Sequence, residues 1–421
     1  MSNTFNLELS PKQAEFIQNA NSRWNAKVGA TQCGKTFIDI AYVIPSRILE
    51  RKGEKGLNLI LGVTKETIER NVLEPMRDLW GDDLVGEINN RNIAVLFGER
   101  VYCIGAEKKN QVSKLRGAKF KYVYWDEMVD CAEEVLELLK SRLSLPYSVC
   151  DFTGNPAEPT HFVKKFIDSK ADVYHQAWTL YDNPFLDPEY IKQLEIEYEG
   201  TVFFDRYILG QWKLAEGSIY KKFVNSPQKY FRYSSEVPFN DIMEINVGVD
   251  FGGNLSGHSF VASGITYDYE ELYGLMAEKH MNADYTEGID TNELCELLNE
   301  FLRNVENKYG EIDYVFWDNE NTVLGNSIKK SIELEFPHIK VRPCKKEKII
   351  HRIELTIKLI GGMRFFYTED AELLKIALQE AVWEKGVQKD TRLDDGTSDI
   401  DTLDGFEYSF TSRNMRRFIT G

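Results

Sequence analysis

The stretch Gly29-Ala-Thr-Gln-Cys-Gly-Lys-Thr36 satisfies every position of the phosphate-loop pattern G-x-x-x-x-G-K-[ST]. No other feature constrains the fold as tightly. The pattern works only as a strand, a Gly-rich turn and the start of a helix, because backbone N–H groups must meet phosphate at a helix N-terminus. "WNAKV" reads as the strand, and "KTFIDIAYVIPSRI" has helical periodicity up to Pro45. Gly29 and Gly34 shape the turn. Lys35 is the expected contact to the β- and γ-phosphates of ATP, and Thr36 the expected Mg²⁺ ligand. Cys33, inside the loop, reads as a small residue.

A phosphate loop needs carboxylates at the end of another strand. "YVYWDE" supplies them: four apolar or aromatic residues, then Asp126 and Glu127. Asp126 is the expected holder of Mg²⁺ through its water shell, and Glu127 the group that orients the attacking water. The next strand ends in Thr153-Gly154-Asn155-Pro156. Two readings stand for it: a sensor of the γ-phosphate that couples hydrolysis to movement, or a plain Asn-Pro turn. Gln13, ahead of the first core strand, is a candidate for the adenine edge or a helix-cap residue.

The rest of the first half alternates short β-rich runs with helical stretches, which predicts a mostly parallel sheet covered by helices. The runs are "LNLILGV", "NIAVLFG", "RVYCIGA", "KYVYWDE" and "SVCDFTGNP", with helices expected over 65–80 and 130–143. From about 181 to 240 the texture changes to a proline-punctuated connector, which places a domain boundary in this region. The expected divisions are 1–180, 181–240 and 241–421.

The third segment opens with "EINVGVDFGG" and continues as three strands separated by tight turns. Helices are expected over 291–308, 323–335, 349–360 and 370–382, and "IDYVFWDNE" reads as a strand. Asp250 and Asp318 each end an apolar run, and "DIDTLDGFEYSF" carries Asp401 and Asp404 on one helix face. Two strand-end carboxylates and a third on a late helix form the ribonuclease-H-like arrangement. It suits a two-metal nuclease, in which paired Mg²⁺ or Mn²⁺ ions about 3.5–4 Å apart flank a phosphodiester. Asp250, Asp318 and Asp404 are the first choices for ligands, with Asp401 second. Asp394 and Asp395 read as a solvated loop.

The net charge of −16 argues against a protein coated in nucleic acid, although a local basic track stays compatible with it. Lys345, Lys346, Lys348 and Arg352 in "CKKEKIIHR" are the candidate DNA-binding residues, a solvated helix face being the other reading. The six cysteines form no C-x-x-C pair, so neither a zinc site nor a disulfide framework is expected. The apolar runs are too short for a bilayer and the N-terminus has no export pattern, so a cytosolic protein without membrane contact is expected.

Both sets of motifs on one chain, in this order, resemble the large terminase subunit of tailed double-stranded DNA phages. The resemblance spans nearly the whole chain through "GATQCGKT", "YVYWDE", "TGNP", "VGVDFG", "VFWDNEN" and "DIDTLDGFEY". It implies an ATPase domain of the additional-strand type, a small lid and a ribonuclease-H-like nuclease. It also implies ATP with Mg²⁺ in the first domain and two Mg²⁺ or Mn²⁺ in the last. Implied partners are double-stranded DNA, the portal protein of the procapsid and a small terminase subunit. The implied assembly is a homo-oligomeric ring, taken as a pentamer on the portal and a monomer in solution. The implied location is the host cytoplasm, then transiently the portal vertex.

Two departures bear on mechanism. Many relatives carry His where Asp401 stands, which leaves open whether residue 401 binds metal or relays a proton. Many also carry Arg within the phosphate loop, where this chain has Ala30-Thr31-Gln32-Cys33. An arginine finger must then come from elsewhere; Arg116 is the candidate, an ordinary surface arginine being the alternative. The rival functions are an ATP-dependent DNA repair or recombination nuclease or helicase, a transposase or integrase, and a non-catalytic capsid component.

Overall fold

The computed structural model describes residues 8–108, 117–252, 257–285, 288–318, 321–396, 398–414 and 417–420. The chain divides into two compact units, Met1–Ile191 with Val202–Leu214, and Lys192–Thr201 with Ala215–Gly421. Residues 181–240, expected as a separate lid, are therefore shared out between the two. Their apolar side chains explain why. Phe203 and Ile208 are buried in the first unit, and the backbone of Gly210 lies against the Trp178 carbonyl there. Ile219, Tyr220 and Phe223 are buried in the second.

The first unit is built on seven strands: β1 Trp24–Gly29, β2 Leu57–Gly62, β3 Ile93–Leu96, β4 Glu99–Gly105, β5 Phe120–Trp125, β6 Val149–Gly154 and β7 Val173–Trp178. Their order is β3-β4-β2-β5-β6-β1-β7, and only the β3–β4 pair is antiparallel. Successive residues of each strand feed opposite cores: Leu59, Leu61, Val123 and Trp125 on one face, Ile60, Tyr122 and Tyr124 on the other. Burial on both faces accounts for the unbroken apolar runs. β6 lies between β1 and β5, so the phosphate-loop strand and the Asp-Glu strand are separated by one strand.

Two helices of this unit carry an internal proline, and both accommodate it in the same way. A π turn, Asp39–Val43, joins Lys35–Ile38 to Ile44–Glu50, which contains Pro45. A second π turn, Glu69–Leu73, joins Lys65–Ile68 to Glu74–Trp80, which contains Pro75. Proline lacks an N–H and its ring clashes with the carbonyl four residues earlier; a wider turn relieves both problems. The helix after the phosphate loop thus continues to Glu50, past the Pro45 limit read from sequence.

The second unit holds β8 Ile242–Asp250, β9 Gly257–Thr266, β10 Leu272–Met281, β11 Tyr314–Trp317, β12 Lys340–Pro343 and β13 Phe365–Tyr367. The order is β12-β11-β8-β9-β10-β13. β8, β9 and β10 form an antiparallel meander, and β11 and β12 extend it in parallel from β8. One face buries Val247, Val249, Phe260 and Ala262 against helix Thr291–Tyr309. The other face receives helix Ile400–Asn414. That helix approaches so closely that a Cβ on Gly248 would lie 1.8 Å from the Gly405 carbonyl oxygen.

Candidate functional site

In the first unit the phosphate loop leaves β1 as expected. Gly34 has φ +92°, a conformation that favours glycine, and it precedes helix Lys35–Ile38. A Cβ on Gly29 would fall 2.0 Å from the Trp178 carbonyl oxygen, so no larger residue fits there. The Lys35 ammonium is turned back into its own loop. It donates to the Gly29 carbonyl at 3.1 Å, to the Ala30 carbonyl and to Asn155 Oδ1 at 3.2 Å. Thr36 is half-buried in the first turn of the helix.

The end of β6 ties the parts of this site together. The Thr153 hydroxyl donates to Asp126 Oδ1 at 2.9 Å and accepts from the Glu127 N–H at 3.3 Å. Asn155, two residues on, takes the Lys35 bond. Thr153 and Asn155 therefore bridge the phosphate-loop lysine and the carboxylate pair. Tyr124 adds a third contact, its hydroxyl donating to Asp126 at 3.3 Å.

Burial raises Asp126 above the usual carboxylate range. Burial, with Asp126 beside it, pushes Glu127 up to about 8. Glu127 sits at φ +49°, which sets its side chain apart from the strand, and its Oε2 is buried without a hydrogen-bond partner among the described residues. Such backbone geometry in a non-glycine residue is costly and concentrates at functional positions.

Gln13 is buried beside the loop. Its Nε2 donates to the Gly34 carbonyl at 3.1 Å and its Oε1 accepts the Ser10 N–H at 2.9 Å, as half of a capping box on helix Pro11–Asn19. Both ends of the amide are engaged within the protein, so here it braces the loop. Arg116 lies outside the described residues.

In the second unit Asp250 ends β8 and Asp318 follows β11, the strand paired beside it in parallel. The Asp318 N–H donates to the Val249 carbonyl at 3.3 Å, which fixes the two strand ends side by side. Helix Ile400–Asn414 brings Asp401 and Asp404 to the same end. Asp250 is raised to about 8, first by burial, then by the charges of Asp404, Asp401 and Asp318. All four residues taken from sequence thus act on one point.

The chain's own cations occupy this centre. Lys346 pairs with Asp318 at 2.8 Å. Lys279 pairs with Asp401 at 2.8 Å and with Asp399 at 2.6 Å, and the Gly257 N–H donates to Asp401 Oδ2 at 3.1 Å. Arg352 and Arg392 both reach Asp404 Oδ1. With the oxygens so engaged, no three metal-ligating side chains converge among the described residues. The donor set itself is all carboxylate oxygen, as a hard divalent cation requires, and the mutual repulsion felt by Asp250 is what such a cation relieves.

The expected basic track holds only in part. Lys345, Lys346 and Lys348 are exposed. Arg352 is 4% exposed and does not share a solvent face with Lys348; its guanidinium is spent on Asp404 and Glu407. Spacing on a helix shows which residues share a row, not which row is buried. Sequence reading also missed Lys279, Arg392 and Glu407. The i, i+3 step from Asp404 to Glu407 was the one signal available, and it is common on any helix.

Residues 28–224 match the family model described as "Terminase large subunit, T4likevirus-type, N-terminal". Over those residues the chain is similar to the large-terminase family. The large terminase of a thermophilic bacteriophage superposes with a TM-score of 0.80 at 20% identity, covering 96% of this chain and 98% of that one. The same phage protein in complex with ADP gives 0.78 at 20% identity, with coverage of 95% and 98%. Its complex with ATP-γ-S gives 0.78 at 19% identity, with coverage of 96% and 100%. At these identities the large-terminase likeness is one of fold. No curated protein matches the sequence.

Proposed function

We propose that this chain is the motor and nuclease subunit of a viral DNA-packaging machine. In this reading ATP hydrolysis in the first unit drives double-stranded DNA into a procapsid, and a two-metal endonuclease in the second unit cuts concatemeric DNA. The observation that carries it is the pairing of two separate strand-end constellations on one chain. Lys35, Asp126, Glu127, Thr153 and Asn155 form one; Asp250, Asp318, Asp401 and Asp404 form the other. The position of β6 between β1 and β5 supports the additional-strand type of ATPase. The β10-β9-β8-β11-β12 order supports the ribonuclease-H-like type of nuclease. The thermophilic phage protein's complexes with ADP and ATP-γ-S support nucleotide use.

For the ATPase, Gly29, Gly34 and Lys35 bind the phosphates, while Thr36 and Asp126 would hold Mg²⁺, which would supply charge neutralisation at the transferred phosphoryl. Glu127 orients a water against the γ-phosphate. Thr153 and Asn155, tied to Asp126 and Lys35, carry the change in phosphate occupancy to the end of β6. Gln13 holds the Gly34 carbonyl and borders the adenine side. Arg116 is the proposed finger, acting on a neighbouring subunit's nucleotide. For the nuclease, Asp250, Asp318 and Asp404 would hold two Mg²⁺ or Mn²⁺, whose chemistry would be to activate water and to offset charge on the leaving oxygen. Lys345, Lys346 and Lys348 offer the phosphate contacts for DNA. Portal, small terminase subunit and a ring of copies, taken as a pentamer, complete the proposed assembly in the host cytoplasm at the portal vertex.

The test is an assay of the full chain for two activities. ATP hydrolysis should rise with linear double-stranded DNA, and cutting should need Mn²⁺ or Mg²⁺ and show no sequence preference. Strand separation without cutting would instead favour a helicase.

A further inference from the structure

Three buried charges lie behind Asp404 of the acidic centre, and their arrangement is directional. Glu407 is fully buried; its Oε1 accepts from Arg392 Nη1 at 3.0 Å, and its Oε2 makes an ion pair with Arg352 Nη1 at 2.6 Å. The same two guanidiniums then reach forward to Asp404, Arg352 at 3.2 Å and Arg392 through Nη2. Both arrive at one oxygen, Oδ1. Neither arginine hydrogen bond ends on Oδ2 of Asp404. The two arginines come from different places: Arg352 from helix Ile349–Gly361, Arg392 from the segment before helix Ile400–Asn414.

Stability is a poor reason for such a cluster. Charges withdrawn from water cost more than their mutual attraction reliably returns, and apolar side chains of similar volume serve as well. DNA contact is no better a reason, since Arg352 and Arg392 are 4% and 6% exposed. The planar fork explains what a lysine could not do: one Nη of Arg392 serves Glu407 and the other serves Asp404, so the anchor fixes the direction of the second bond. The sum of the four charges is zero.

We propose that Arg352 and Arg392 are positioning residues of the acidic centre: anchored on Glu407, they hold Asp404 by one oxygen and leave its other oxygen to a divalent cation. This rests on the reading of Asp250, Asp318 and Asp404 as a metal centre. Groups that orient a metal ligand in this way set metal affinity as well as rate, and their loss weakens binding by about ten- to a hundredfold.

The experiment titrates the full chain with Mn²⁺ alone, followed by electron paramagnetic resonance, with near-ultraviolet circular dichroism as the check on folding. Arg392→Gln and Arg352→Gln should each raise the Mn²⁺ Kd about tenfold or more. In an Asp404→Asn background the same substitutions should add little, because they act through that carboxylate. A folded Arg392→Gln chain with parental Mn²⁺ affinity overturns the proposal. If that variant does not fold, Arg392→Gln with Glu407→Gln removes the anchor pair without leaving its carboxylate ionised; parental affinity in the double variant also overturns it. The two layers of the argument fail differently. If Asp250→Asn and Asp404→Asn bind Mn²⁺ as the parent does, the metal reading itself is wrong. If they lose it while the arginine variants keep it, only the positioning role falls.

Discussion

Gly248 on β8 and Gly405 on helix Ile400–Asn414 meet backbone to backbone, with room for no Cβ on Gly248. The helix can lie this close to the strand only because Gly248 lacks a side chain. Asp404 and Asp401 are carried on the same turns of that helix, and Asp250 lies two residues beyond Gly248. Gly248 therefore sets the spacing of the carboxylates. Gly248→Ala should push the helix away and cost about 1–3 kcal/mol by overpacking. DNA cutting should fall, while ATP hydrolysis, whose residues lie in the other unit, should not. Calorimetry and parallel assays of both activities check this; full cutting by a folded Gly248→Ala chain would refute it.

Glu127 has no hydrogen bond to its buried Oε2 among the described residues, so its carboxyl is held for something outside the protein. Glu127→Gln should keep nucleotide binding and lose hydrolysis, since the amide cannot polarise water in the same way. Fluorescent-nucleotide binding and phosphate release separate the two effects. Normal turnover would remove Glu127 from the mechanism.

Thr153 joins Asp126 and Glu127 through one hydroxyl. Thr153→Val keeps the shape and removes both bonds. Nucleotide affinity should stay within a few-fold, because Lys35 and the loop are untouched. Turnover should fall by about tenfold or more, given that a hydrogen bond to a charged group is worth about 1.5–3 kcal/mol. An unchanged rate would make the Thr153 contacts ornamental.

Much of this was legible in the sequence because strands buried on both faces write themselves as apolar runs, and their ends as sudden carboxylates. "YVYWDE" and "VFWDNEN" are of that kind. β7, "VYHQAW", was not found, since half-buried His175 and the polar Gln176, which is itself buried, interrupt the run on an edge strand. β12 and β13 are too short to show a period. The two π turns left no mark apart from their prolines. At the second site the acids were visible and their cationic partners were not. Lys279, Arg352 and Arg392 come from three elements far apart in sequence, and only tertiary packing brings them together.

Asp39 gives the first unit a pH dependence with a definite sign. It is fully buried against Lys27 at 2.7 Å. Burial raises its carboxyl from 3.8 to about 7, against the pull of Lys27. Between about pH 4 and 7 the folded chain then holds a proton that the unfolded chain has released. This group's contribution to stability is full below about pH 4, falls as the pH rises toward 7 and is flat above it. Asp39→Asn should flatten that slope. Urea unfolding at pH 5 and pH 8 measures it, and an equal slope in parent and variant would place the effect elsewhere.

Asp250 and Asp401 should separate two roles at the acidic centre. Asp250 alone among the four carboxylates has no ion pair with a described residue, and three neighbours of like charge act on it. Asp250→Ala should abolish cutting and Mn²⁺ binding yet leave ATP hydrolysis intact, since the two activities use different ligands. Asp401 is held differently. Its Oδ2 takes both the Lys279 ammonium and the Gly257 N–H, and Lys279 is itself braced by Asp399. A carboxylate already engaged in this way is less free to bind metal and better placed to keep Lys279 and the start of β9 in order. Asp401→Ala should therefore slow cutting while leaving Mn²⁺ affinity within a few-fold of the parent. Mn²⁺ titration beside a nicking assay decides it. If Asp401→Ala loses Mn²⁺ as completely as Asp250→Ala, residue 401 is a ligand, and Lys279 must give it up when the cation binds.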